Sequence, residues 1–142
     1  MIDSKNDVYV LGAARTAIGT FGGSLTSVSP TDLGAHVTAV ALERAGVNAD
    51  DVQSNVVGHV IRTETRDAYI GRRIALQAGL PISTQSLTLN RLCGSGLEAI
   101  VFATQQLQLG EVDVAVAGGA ESMSQSGHLL TTNLLCNLVI VA

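Results

Sequence analysis

Short continuous apolar runs alternate along the chain with longer amphipathic stretches, and the two spacings predict different elements. Residues 8–11, Val-Tyr-Val-Leu ahead of Gly12, suit a strand buried on both faces of a sheet. A second strand is predicted over 52–61, with Val56, Val57, Val60 and Ile61 as its apolar content. A third covers 85–89, where Leu87 and Leu89 alternate with polar positions, and a fourth covers 111–117, running into Gly118-Gly119. Between the first two strands, Ser29-Pro30-Thr31-Asp32 has the order of a helix start: a serine cap, proline in the first turn, then an acid. Leu33, Val37, Val40 and Ala41 then share one face, and Gly46 ends the element. A charged loop over 62–67 leads to a second helix carrying Ile70, Ile74 and Ala78 at spacing four, stopped by Gly79 with Pro81 behind it. The third helix is predicted to begin at Cys93 and to bury Leu97, Ile100, Val101, Thr104 and Leu107 as far as Gly110, with several sides covered.

Strands and helices in strict alternation imply right-handed crossovers, hence an α/β fold: a mostly parallel sheet with helices on both faces. Ligands of such sheets sit beyond the carboxyl ends of the strands, and both Cys93 and residues 118–122 fall at that edge. The 142 residues are one domain's worth, large enough to bury a true core. A net charge of −4 and the scarcity of aromatic residues argue against a nucleic-acid surface. Without a basic apolar leader or a long apolar run, the expectation is a soluble cytoplasmic protein with no membrane partner. Two cysteines and three scattered histidines show no metal-ligand spacing, so no metal site is expected.

The candidate chemistry lies in Asn90-Arg91-Leu92-Cys93-Gly94-Ser95-Gly96-Leu97-Glu98-Ala99-Ile100. A cysteine where a strand hands over to a helix has unpaired N–H groups and the positive end of the helix dipole beside its sulfur, which favours the nucleophilic thiolate. Gly94 and Gly96 add no bulk, so a substrate carbonyl can come close. The competing reading is a cysteine that only fills space in a core. His36 lies off the apolar stripe of its helix and is read as a surface or partly packed residue, and His59 falls inside or at the end of the second strand. Arg15 is either a partner for an acid or a solvated loop residue. Arg66, Arg72 and Arg73 could serve a phosphate, but solvated side chains or ion pairs at a subunit interface are the preferred reading.

The string around Cys93 resembles the nucleophile segment of the thiolases, the acetyl-CoA C-acyltransferases. Two further strings agree with that family in order: Arg15-Thr16-Ala17-Ile18-Gly19-Thr20-Phe21-Gly22-Gly23, and Gly118-Gly119-Ala120-Glu121-Ser122-Met123-Ser124. The resemblance covers residues 8–124 and implies an incomplete thiolase-like N-terminal domain over 1–124, followed by a divergent apolar tail over 125–142. It implies an acyltransferase in which Cys93 takes the acyl group of a CoA thioester, with its own N–H as one donor to the acyl oxygen. Acyl-CoA and acetyl-CoA are then substrates, no separate cofactor is required, and the intact family forms homo-oligomers. The Arg-Leu-Cys-Gly-Ser-Gly form and residues 62–69 lean toward broader 3-ketoacyl thiolases. The family's Gly-His-Pro, Asn-Glu-Ala-Phe and second-cysteine strings are missing here, and Cys136 lacks the glycine-rich surroundings of that second cysteine. A premature stop after a frameshift is the expected origin of the tail, and no turnover is expected of this chain alone. The alternative is a non-catalytic remnant or a module that docks on intact subunits.

Overall fold

The computed structural model describes residues 7–127. In chain order it contains α1 (Pro30–Ala45), β1 (Ser54–Gly58), α2 (Ile70–Gln77), β2 (Gln85–Leu89), α3 (Ser95–Gln108) and β3 (Ala115–Gly119), with short 3-10 turns between them. The strands lie in the order β2-β1-β3, and both pairings are parallel. Parallel strands need crossovers long enough for a helix, which is why the two periods alternate in the sequence. Val56 of β1 packs against Ala99 and Ala103 of α3. Its neighbour Val57 points the other way, onto Ile70 and Ile74 of α2. Leu42 of α1 and Ala75 of α2 meet Val52 and Leu80 on that second side. Helices therefore cover both faces, the predicted α/β arrangement, and each fully buried Val or Ile stabilises it by roughly 1.5–3 kcal/mol. Among the described residues no helix is long and apolar enough to cross a membrane.

Local signals explain the element ends. The Ser29 hydroxyl accepts the Asp32 N–H at 3.0 Å and caps α1, and Gly46 closes that helix in the left-handed conformation at φ +65. Gln77 at the end of α2 donates to Asp32 at 2.6 Å, joining the two helices. Hydrogen bonds from Ser29 and then Gln77 hold the Asp32 carboxyl below its ordinary value.

Several predicted boundaries and faces differ. Residues 8–11 form no strand: they pair with nothing in the sheet, and Tyr9, Val10 and Leu11 are exposed. An apolar run becomes a strand only where a neighbour completes its ladder. β1 is shorter than 52–61, because the N–H groups of Val60 and Ile61 are taken by the Glu121 carboxylate instead of a neighbouring strand. β3 starts at Ala115, not at 111, since the Gln53 side chain accepts the N–H groups of Asp113 and Val114. α1 buries Thr31, Gly34, Ala35, Thr38 and Leu42, and the expected face of Leu33, Val37, Val40 and Ala41 is only half-buried. α3 is not covered on several sides. It buries Ser95, Ala99, Ala103 and Gln106, while Leu97, Ile100, Val101 and Phe102 face outward.

Candidate active site

The sheet register brings Leu89, Gly58 and Gly119 side by side, so all three strands end at one edge. The first turn of α3 rests directly on that edge. A Cβ built on Gly58 would stand 2.5 Å from the Ser95 carbonyl carbon and 2.8 Å from the Gly96 nitrogen, so only glycine permits the approach. One built on Gly119 would stand 3.5 Å from the Gly96 Cα, which places the third motif beside the second.

Cys93 lies in the loop that joins β2 to α3, exposed and unpaired. Its neighbour Leu92 has φ +50, a left-handed conformation that a non-glycine residue keeps only when its surroundings impose it. They do so at both ends of the residue. The Asn90 Oδ1 accepts the Leu92 N–H at 2.9 Å, and the Ser95 hydroxyl donates to the Leu92 carbonyl at 2.7 Å. The same hydroxyl accepts the Arg91 N–H at 2.8 Å. This kink ends the chain's approach and delays the helix, which starts at Ser95 with Gly94 as its cap and not at Cys93. The first bond across the cap runs from the Glu98 N–H to the Gly94 carbonyl at 2.9 Å. Among the described residues no acceptor meets the N–H groups of Gly96 and Leu97. Cys93 thus stands just ahead of a helix start with donors to spare, open to a reagent, and is not a core filler.

Behind the loop lies a buried polar cluster. His59 follows β1 and is 4% exposed. Its Nδ1–H donates to the Ala120 carbonyl at 2.7 Å, and the Glu121 carboxylate stands 3.3 Å from the same nitrogen. Its Nε2 has no hydrogen-bond partner and stands 3.7 Å from Asp67. A cavity of about 100 Å³ lies there, lined in part by His59, Arg62, Asp67, Thr88 and Asn90. Burial acts to raise the Asp67 carboxyl, but hydrogen bonds from the Thr63 side chain and N–H, from the Glu64 N–H, and the neighbouring His59 outweigh it, and the carboxyl titrates below its ordinary value.

The other sequence candidates fall into place around this cluster. Arg66 and Arg73 both pair with Glu64, and Arg73 also reaches Asp67 at 3.3 Å. Arg72 donates to the carbonyls of Ile82 and Thr84. Arg66 and Arg73 thus make ion pairs within the chain, not across an interface, and Arg72 is held by main-chain carbonyls. Hydrogen bonds from Arg66 and Arg73 keep the Glu64 carboxyl below its ordinary value, the Arg66 bond being the largest influence. Arg15 is exposed and donates to the Thr16 carbonyl, and among the described residues it pairs with no acid. His36 is exposed on α1. The first motif meets the third, since the Gly22 N–H donates to the Ser124 hydroxyl at 2.9 Å. His128 and Cys136 lie outside the described residues. Sequence reasoning missed Gly58, Asn90, Ser95 and Glu121 as determinants of the site. A glycine inside an apolar strand was a readable sign of close backbone approach, and Asn90 and Ser95 flank the cysteine within the string already singled out.

Comparison with known proteins agrees with this fold. The model of the thiolase N-terminal domain matches residues 8–140. The chain belongs to the thiolase family. A beta-ketothiolase of Cupriavidus necator is 56% identical over 123 residues, covering 87% of this chain and 31% of that protein. An acetyl-CoA acetyltransferase of the same organism is 43% identical over 124 residues, again 87% of this chain and 31% of the relative. Human mitochondrial 3-ketoacyl-CoA thiolase, solved in complex with CoA, superposes with a TM-score of 0.86 at 34% identity, covering 92% of this chain and 33% of that one. The chain therefore spans about a third of the length of the relatives it matches. The family is one of acyltransferases.

Proposed function

We propose that Cys93 is the acyl-accepting nucleophile of this thiolase-family chain. Its thiolate attacks the carbonyl carbon of an acyl-CoA thioester, the bond from that carbon to the CoA sulfur breaks, CoA leaves as a thiol after taking up a proton, and the acyl group stays on Cys93. The observation that supports this most is the placement of an exposed, unpaired cysteine just before the α3 cap, ahead of a first turn whose Gly96 and Leu97 N–H groups are unclaimed among the described residues. Developing charge on the acyl oxygen needs donors of that kind, and the Cys93 N–H is our candidate for one of them. Acetyl-CoA and longer acyl-CoA molecules are the proposed substrates, with no further cofactor. The unit carrying this chemistry is proposed as residues 1–124, acting in the cytoplasm and, in the intact family, as a homo-oligomer in fatty acid metabolism.

A complete cycle must pass the acyl group to CoA or to the carbanion of acetyl-CoA, which calls for a base near the sulfur and a second base for the carbanion. Among the described residues no hydrogen-bond partner reaches the Cys93 sulfur, and no Gly-His-Pro string occurs in the sequence. The expected behaviour is acylation without turnover. Incubating the purified chain with radiolabelled acetyl-CoA tests it: the label should reach the Cys93 peptide and vanish in Cys93→Ala. Labelling that persists in that variant would exclude Cys93 as the acceptor, and sustained cleavage of acetoacetyl-CoA would exclude the absence of turnover.

A further inference from the structure

We propose that His59 and Glu121 are positioning residues for the Cys93 loop, a role that rests on the acyl-acceptor reading of Cys93. Beyond Gly58 the ladder of β1 stops, and these two side chains take over its bonding. The Glu121 carboxylate accepts the N–H of Val60 at 3.0 Å with one oxygen and that of Ile61 at 2.9 Å with the other. The His59 ring donates to the Ala120 carbonyl at 2.7 Å, and the Ala120 N–H returns to the Gly58 carbonyl at 3.2 Å. The end of β1 is thereby tied to the end of β3 by two side chains and one main-chain bond.

The tie continues to the loop along two routes. The His59 N–H donates to the Leu89 carbonyl at 3.0 Å, which sets the residue just before Asn90. The Asn90 amide donates to the Val60 carbonyl at 3.5 Å while its oxygen accepts the Leu92 N–H. Val60 is thus gripped through its N–H by Glu121 and through its carbonyl by Asn90. Leu92, held in its left-handed conformation by Asn90, immediately precedes Cys93. Releasing His59 or Glu121 frees Val60 and Asn90, and Leu92 can then relax and re-aim the cysteine. Among the described residues the buried His59 ring has no hydrogen-bond partner at Nε2, so its hold on the surroundings runs through Nδ1 and the Ala120 carbonyl. Neither side chain touches the reacting atoms, so both act through the loop.

The test uses the full chain with His59→Leu, His59→Gln and Glu121→Ala. Two rates are followed at Cys93 by peptide mass: acylation by acetyl-CoA, which depends on how the thiol is aimed, and alkylation by iodoacetamide, which depends mainly on exposure. His59→Leu and Glu121→Ala should slow acylation by about tenfold or more while alkylation changes by less than about threefold. His59→Gln, whose amide can still donate to the Ala120 carbonyl, should recover most of the acylation rate. Acylation at the parent rate in His59→Leu, or a His59→Gln variant as slow as His59→Leu, would overturn the proposal. A parent chain that fails to acylate at all would count against the acyl-acceptor reading alone. Amide exchange at Leu92 then decides the positioning role: faster exchange in His59→Leu with Val56 and Val57 unchanged supports it, and unchanged exchange at Leu92 overturns it.

Discussion

At the scale of single residues, the site depends on side chains whose value comes from several bonds at once. Ser95 both accepts from the Arg91 N–H and donates to the Leu92 carbonyl, so one hydroxyl fixes the turn before the cysteine. Asp67 does the same for the loop beneath, accepting from the Thr63 N–H and hydroxyl at 2.7 Å each and from the Glu64 N–H at 3.2 Å. Because these bonds leave its folded pKa below the ordinary 3.8, its contribution to stability is present above that value and is lost as the pH falls through the lower, folded one. Asp67→Asn should therefore be less stable than the parent at neutral pH, and its stability should fall less steeply as the pH drops from about 4 downward. Urea melts across that range are the check, and parallel acid profiles for both proteins would contradict the assignment. The place of the cysteine between a strand and a helix was legible from its flanking glycines and the helix pattern after it, and its candidate role came from the resemblance of three strings to the thiolases. The hold on it was not, because Asn90, Ser95 and Glu121 act through bonds to main-chain atoms, which no spacing of residue types encodes.

At the scale of elements, the order of helices and strands from α1 onward was readable from the sequence pattern, while the expected first strand over 8–11 and the sides the helices present were not. α1 ends as its cap residues dictate, with Ser29 at one end and Gly46 at the other. In α3, by contrast, apolar residues occur nearly all round, so periodicity could not choose the face that meets the sheet. Backbone proximity chose it. With the α3 first turn against Gly58, the helix can present only small residues there, and Ala99 and Ala103 take the buried positions while Leu97 and Ile100 turn outward. Gly71 has a similar place in α2, where an added Cβ would meet the Leu87 carbonyl oxygen at 2.7 Å. Gly58→Ala should thus push the first turn of α3 off the sheet and destabilise the chain by about 1–3 kcal/mol, as overpacking does. Denaturant unfolding measures the loss, and a fully stable Gly58→Ala chain with unaltered Cys93 reactivity would show that the contact is slack. The strand ends were misplaced for a related reason, since Gln53 and Glu121 intercept N–H groups that a strand pattern assigns to the ladder.

At the scale of the whole molecule, the described part buries a compact three-stranded core and leaves much apolar surface uncovered. Tyr9, Val10 and Leu11 in the early segment, Ile18 and Phe21 after it, and Leu97 and Ile100 on α3 all face outward. Exposed large apolar side chains in this number favour association. The purified chain is expected to self-associate in a concentration-dependent way in sedimentation velocity, and a single sharp monomer peak across concentrations would contradict this. The fold class was legible at this scale from the alternation of strands and helices, whose topology brings the strand ends to one edge, while the three motifs were read from their resemblance to the thiolases. That same edge carries the central claim: folding, not the cysteine's chemistry alone, makes Cys93 an acyl acceptor. The most direct measurement compares transfer from labelled acetyl-CoA to the native chain and to the chain unfolded in urea, with the label located by peptide mass. The account predicts label on Cys93 in the native chain, little in the unfolded one, and none on Cys136. Equal labelling with and without the fold, or label on Cys136, would contradict it.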